Sequence, residues 1–183
     1  RSGAKANDII CVTGDLGAAY MGLQVLEREK AVYLTNPEMQ PSIEKYEYLV
    51  GRQLKPEART DIVYDLVEAG VLPTAMIDVS DGLVSDLFHI AKNSGVGIRI
   101  FEDKIPIDQT AYETAVEFNL DPITCALNGG EDYELLFTVP VTAFDIIGNR
   151  PEFSIIGHMT EPSEGAKMIT SSGAAVSLVA QGW

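Results

Sequence analysis

The sequence predicts an α/β chain of the α+β type, a mixed β-sheet packed with helices. Segments of helical and strand period alternate along 183 residues, and 46% hydrophobic with 22% charged residues suits one domain with a substantial core. The end reads as a hairpin, AKMIT, a Ser-Ser-Gly turn and AAVSLVA, which excludes a purely parallel βαβ array.

Asp8 to Thr13 (DIICVT) reads as a short buried strand. GDLGAAYMGLQVLEREK follows as a helix with Leu16, Tyr20, Leu23, Val25 and Leu26 at apolar positions. Tyr33 to Arg59 is more polar, carries Pro37, Pro41 and Pro56, and reads as a surface excursion with one short helix around Ile43 to Val50. Thr60 or Asp61 can cap a helix through Glu68, striped by Ile62, Val63, Leu66 and Val67 and stopped by Gly70. Thr74 to Val79 is a strand. Ser80 can cap the next helix, where Leu83, Leu87, Ile90 and Ala91 recur until Gly95. VGIRIF alternates as a strand with Val96, Ile98 and Ile100 on one face. A helix around Ala111 to Phe118, a strand around Tyr133 to Val139, a helix from Thr142 to Ile147 and a strand around Phe153 to Gly157 lead to the hairpin.

No run of 18 apolar residues occurs, and RSGAKAND has neither an apolar signal core nor a small-residue cleavage site, so the expectation is a cytoplasmic protein without a membrane span. A start at Arg1 and an abrupt end at Trp183 suit a larger parent chain, although processing would leave the same ends. Cys11 and Cys125 are too few for a disulfide framework and lack CxxC spacing, so both read as ordinary thiols. The net charge of −14 argues against a basic track for nucleic acid or an anionic membrane. It is also lopsided. Through Arg59 eight bases balance eight acids, whereas from Thr60 onward five bases face nineteen acids. Phosphate binding by that acidic part calls for a divalent metal.

P-loop, GxGxxG, GxSxG and HExxH motifs are all absent, and His89 and His158 stand alone in the sequence, where packing or an exposed helix face explains each better than zinc. Asp78-Val79-Ser80-Asp81-Gly82-Leu83 falls where a strand ends and a helix begins, the place where α/β sheets gather ligands and helix N–H groups meet anions. Asp78 and Asp81 could hold Mg²⁺ while Ser80 touches a phosphate; the bland reading makes Ser80 a cap and Asp81 a dipole partner, which leaves Asp78 less well explained. Asn128-Gly129-Gly130-Glu131-Asp132-Tyr133-Glu134 is the second segment, where paired glycines free the backbone and Glu131 could receive a donor or cation; by itself it reads as a solvated turn. Thr13-Gly14-Asp15-Leu16-Gly17 is a third glycine turn, without the lysine of a P-loop, and reads as packing.

Together RSGAKANDIICVTGDLG, AMIDVSDGL, ALNGGEDYELLFTV and the final GW resemble the thiamine-monophosphate kinase family, whose superfamily includes aminoimidazole ribonucleotide synthetase and selenophosphate synthetase. The resemblance spans nearly the whole chain with the motifs in family order. It implies ATP-dependent phosphorylation of thiamine monophosphate to thiamine diphosphate with Mg²⁺, by direct transfer without a covalent intermediate. It further implies Asp78 and Asp81 as Mg²⁺ ligands, Arg1 and Ser80 as ATP contacts, and Glu131 and Trp183 as contacts to thiamine monophosphate. Cation–π attraction gives an aromatic face a reason to meet the thiazolium, and Glu131 could accept from the aminopyrimidine. The family's N-terminal domain, which brings further metal-binding aspartates and much of a homodimer interface, is missing. On this reading residues 1–183 are one domain, the C-terminal domain of a larger kinase, and inactive by themselves. The competing readings are a sibling ATP-dependent ligase resembling aminoimidazole ribonucleotide synthetase, and a non-catalytic nucleotide-binding or assembly domain.

Overall fold

The structure, a computed structural model, describes residues 1–181. Its strands are β1 (Ile9–Thr13), β2 (Ala75–Asp78), β3 (Gly97–Phe101), β4 (Leu135–Val139), β5 (Phe153–Thr160), β6 (Ala166–Ile169) and β7 (Ala175–Ser177). Its α-helices are α1 (Ala18–Thr35), α2 (Glu47–Leu54), α3 (Thr60–Glu68), α4 (Leu83–Ser94), α5 (Gln109–Glu117), α6 (Pro122–Asn128) and α7 (Phe144–Gly148). The strands form one mixed sheet in the order β2-β4-β1-β5-β3-β6-β7, antiparallel at every junction except the parallel β3–β6 pair. The α/β expectation and the terminal hairpin are both met.

Strand alternation divides the core between two faces. Ile10, Val12, Ile77, Leu136, Ile98 and Ile100 turn toward α4 and α6, where Leu83, Leu87, Ile90 and Ala126 bury against them. Ile9, Cys11, Phe137 and Val139 turn the other way, onto Ile62 and Leu66 of α3 and Ile147 of α7. A third cluster joins α1, α2, α5 and α6 through Met21, Val25, Leu49, Ala115 and Cys125. Both cysteines are free and buried. Among the described residues no helix is long and apolar enough to cross a membrane.

Four local expectations are corrected. The helix before Gly70 does begin at Thr60, but Arg59 is its N-cap and no side chain caps it. Ser80 does not cap α4; the N-cap is Gly82 at φ 99°, and a Cβ there would lie 3.0 Å from the Asn128 backbone. The strand expected over Phe153 to Gly157 continues to Thr160, because His158 and Met159 still pair with Arg99 and Ile98. The stretch Tyr33 to Arg59 is only partly an excursion: α1 runs to Thr35, and Tyr46, Leu49 and Val50 are buried. Helix α6 was not foreseen, although Asp121 accepts from Thr124 N at 3.0 Å and Pro122 opens the first turn, a start signal present in the sequence.

Gly22 shows how closely α1 and α2 approach, since a Cβ there would sit 2.1 Å from the Leu49 carbonyl oxygen. Alanine favours a helix interior over glycine by about 1 kcal/mol, but the close backbone leaves no room for its methyl. Gly22→Ala is therefore expected to destabilise the protein by about 1–3 kcal/mol in denaturant titration. A rise in the unfolding midpoint would mean that the two helices do not pack this tightly.

Candidate functional site at one edge of the sheet

Because β4 is antiparallel to both β1 and β2, those two strands run parallel and end at the edge where β4 begins. Three turns far apart in sequence consequently meet: Thr13 to Asp15, Asp78 to Asp81, and Asn128 to Glu134. Backbone hydrogen bonds join the latter two. Val79 N donates to Glu134 O at 2.8 Å, Tyr133 N to Val79 O at 2.9 Å and Glu131 N to Ser80 O at 2.9 Å.

Asp78 is the last residue of β2 and half-buried, Ser80 is half-buried, and Asp81 is exposed. Asp86, one turn into α4, is buried and accepts from Ser80 N at 3.0 Å and Asp81 N at 3.1 Å. Burial pushes its carboxyl up to about 6 against those two bonds. His89 is not alone in space: with Asp81 and Asp86 it forms a trio whose potential ligand atoms all lie within 4.8 Å of one another. Spacing of i, i+3 on α4 is the signal that could have found the Asp86–His89 pair.

Glu131 lies on the loop at φ 61°, half-buried, and accepts from the Tyr133 hydroxyl at 3.2 Å. That nearby charge raises the Tyr133 phenol. Asp132 turns inward and accepts from Gly17 N at 2.8 Å and Ala19 N at 3.2 Å, so it satisfies the free start of α1. Burial drives its carboxyl up to about 7 despite both bonds. Glu134 is 1% exposed; Thr13 Oγ1 donates to it, Arg52 Nη1 reaches Oε1 at 2.7 Å, and Arg59 Nη1 reaches Oε2 at 2.6 Å. Gly14 must be glycine here, since a Cβ at its φ of 54° would lie 2.3 Å from Glu134 Oε1.

Two clefts flank this edge. One of about 410 Å³ is lined by Tyr20, Asp121, Thr124, Cys125, Asn128 and Gln181. The other, about 760 Å³, is lined by Tyr48, Arg52, Lys55, Arg59, Asp61 and Glu134. Gln181 N donates to Asn128 Oδ1 at 3.2 Å, so the C-terminal segment reaches the glycine loop. Trp183 lies outside the described residues.

Asp78, Ser80, Asp81 and Glu131 are thus brought together, whereas Arg1 is not. Gly3 N and Ala4 N both donate to Ser94 Oγ at 3.2 Å, which places the segment after Arg1 at the far end of the 12-residue α4. Twelve helical residues span about 18 Å. Sequence reading missed Arg52, Arg59, Asp86 and the inward turn of Asp132. The two arginines carry no local signal, being 82 and 75 residues from Glu134.

A mixed sheet whose acidic turns collect at one edge, with glycine loops at two helix starts, defines an α/β domain with one candidate site. Residues 5–169 match the family described as AIR synthase related protein, C-terminal domain, and the chain belongs to that family. It is similar to the thiamine-monophosphate kinase of Aquifex aeolicus (strain VF5), 39% identical over 141 residues, 76% of this chain and 42% of the relative. The thiamine-monophosphate kinase of Escherichia coli (strain K12) is 38% identical over 173 residues, 90% of this chain and 48% of the relative. The chain spans about half the length of the curated relatives it matches. Among solved structures, one described as AaThiL complexed with AMPPCP and TMP superimposes with TM-score 0.79 at 32% identity, covering 100% of this chain and 52% of that one. The hydrogenase maturation protein HypE of E. coli, at 20% identity and TM-score 0.69 over 96% of this chain and 50% of that one, shares the fold.

The Asp132 carboxyl sets a pH dependence. It sits at about 7 in the folded chain against an ordinary 3.8, so the native state binds more protons than the unfolded state between those values. Its contribution to stability is therefore greatest in acid and declines as pH rises from about 4 to about 7. Asp132→Asn should remove that share of the decline in unfolding midpoint over this window; an unaltered slope would mean that the carboxyl titrates normally.

Proposed function

We propose that the full-length protein containing this domain is an ATP-dependent kinase that phosphorylates thiamine monophosphate on its existing phosphate, giving thiamine diphosphate and ADP. The observation that carries the reading is the hydrogen-bonded junction of the Asp78–Asp81 turn with the Gly129–Glu131 loop, Glu131 N on Ser80 O at 2.9 Å. It draws the carboxylates proposed for metal and the carboxylate proposed for the acceptor into one site. Kinship with the thiamine-monophosphate kinases supplies the substrates.

Asp78 and Asp81 offer hard oxygen donors at a strand end, one half-buried and one exposed, a donor set that suits Mg²⁺ better than a soft metal. Mg²⁺ bound there would neutralise phosphate charge during transfer. Ser80, its N–H engaged by Asp86, keeps its hydroxyl for the nucleotide. Glu131, held at positive φ and backed by the Tyr133 hydroxyl, presents its carboxylate to the thiamine side, where Trp183 supplies the aromatic face. Transfer is direct, and no side chain serves as a nucleophile. The segment after Arg1 lies at the far end of α4 from Ser80, so an ATP contact from Arg1 needs a nucleotide that reaches across another domain of the parent or a partner subunit. The other half of the parent supplies the remaining metal ligands and a homodimer interface, and the domain by itself is inactive.

In the full-length protein, Asp78→Asn should lower turnover of thiamine monophosphate about 10²–10³-fold while leaving the melting temperature nearly unchanged. Near-normal turnover at saturating Mg²⁺ with a lowered melting temperature would return Asp78 to a structural role. Glu131→Gln should raise KM for thiamine monophosphate more than KM for ATP, as read by ADP release; the reverse order would put Glu131 on the nucleotide.

A further inference from the structure

The segment Tyr33 to Arg59 contributes more than a surface cover. Arg52, on α2, makes one hydrogen bond to a side chain and two to the main chain: Nη1 to Glu134 Oε1 at 2.7 Å, and Nη2 to Asp15 O at 3.1 Å and to Asp132 O at 3.3 Å, with the Asp132 carboxylate 4.0 Å from Nη2. Those carbonyls belong to the glycine turn after β1 and to the glycine loop before β4. A planar fork of five N–H groups can hold three such acceptors at once, and a lysine ammonium cannot reproduce that spread.

The clamped Asp132 carbonyl lies between two residues in unusual backbone conformations, Glu131 at φ 61° and Tyr133 at φ 52°. Neither is glycine. Left-handed conformations at such residues persist where the surroundings over-determine them. Here the surroundings are Glu131 N on Ser80 O, Tyr133 N on Val79 O, and Arg52 on the carbonyl between them. Arg59 shares Glu134 with Arg52 but otherwise pairs with Asp61, and among the described residues it reaches no loop carbonyl.

We propose that Arg52 is a positioning residue for the acceptor side of the site, fixing the backbone of the Glu131–Tyr133 loop and so the direction of the Glu131 carboxylate, while Arg59 pairs with the carboxylates of Glu134 and Asp61 without holding the loop. The acceptor part of this inference rests on the kinase reading above; the loop part does not.

The test compares Arg52→Gln, Arg52→Lys and Arg59→Gln in the full-length protein by ADP-release kinetics, melting temperature and hydrogen exchange at the Glu131 and Tyr133 amides. Arg52→Lys keeps a charge beside Glu134 and serves where Arg52→Gln does not fold. The expected result for Arg52→Lys is a KM for thiamine monophosphate raised tenfold or more, a KM for ATP changed less than threefold, and faster exchange at both amides. Arg59→Gln should lower the melting temperature while moving neither KM beyond threefold nor the two exchange rates. If Arg52→Lys lowers only the melting temperature, with KM and exchange as in the wild type, the positioning role is overturned and Arg52 is one half of a buried ion pair. Should the wild-type protein not phosphorylate thiamine monophosphate, the kinase reading fails, and the exchange rates still decide the loop: equal rates in Arg52→Lys and Arg59→Gln overturn its positioning, faster rates in Arg52→Lys alone support it.

Discussion

The placement of β4 between β1 and β2, antiparallel to both, is the constraint on which the rest of this molecule depends. Two antiparallel pairings make the outer strands parallel, so both chain exits fall at the edge where β4 enters. A strand order that separated β2 from β4 would send the Asp78 turn away from the Glu131 loop and dissolve the site without changing one residue. The pairing is secured by the core on both faces, with Ile77 and Leu136 on one side and Phe137 and Val139 on the other.

Collecting acids at one edge creates an electrostatic difficulty that the fold resolves residue by residue. Asp132 and Asp86 are buried, and each takes N–H donors at the approach to a helix; these donors do not fully offset the loss of water, so both carboxyls lean toward the protonated form. Glu134 is buried as deeply but receives two guanidinium groups and a hydroxyl, which occupy both of its oxygens. Asp78, Asp81 and Glu131 are left partly or wholly exposed to solvent. Carboxylates that hold the turns together are thus separated from those left open to solvent, although in the sequence they stand one to eight residues apart.

That separation also gives the uneven charge of the chain a structural meaning. The balanced first third contains the arginines that enter the acidic edge, so the excess of acid after Thr60 is compensated locally by residues from before it. Arg52 and Arg59 are each about one-fifth exposed, which leaves their pairing with Glu134 partly shielded from the screening that weakens surface ion pairs.

The sequence by itself determined the elements whose signals are short-range. The helix before Gly70, the strand read over Thr74 to Val79, the helix stopped by Gly95, the VGIRIF strand and the closing hairpin all follow from apolar period and glycine punctuation, and the acidic motifs at Asp78 and Glu131 were visible as motifs. Only the tertiary structure decided what those motifs face. Ser80 looked like a helix cap because a serine before an apolar run commonly is one, but the Gly82 backbone packs against Asn128 and shifts the helix start by two residues. Arg52 and Arg59 fall in the polar stretch read as a surface excursion, and nothing within ten residues of either announces Glu134. His89 looked solitary until α4 set it one turn from Asp86. Period, capping and turn chemistry act over three or four residues and can be read along a chain, whereas which carboxylate is buried, and which cation reaches it, depends on strand pairing between segments many tens of residues apart.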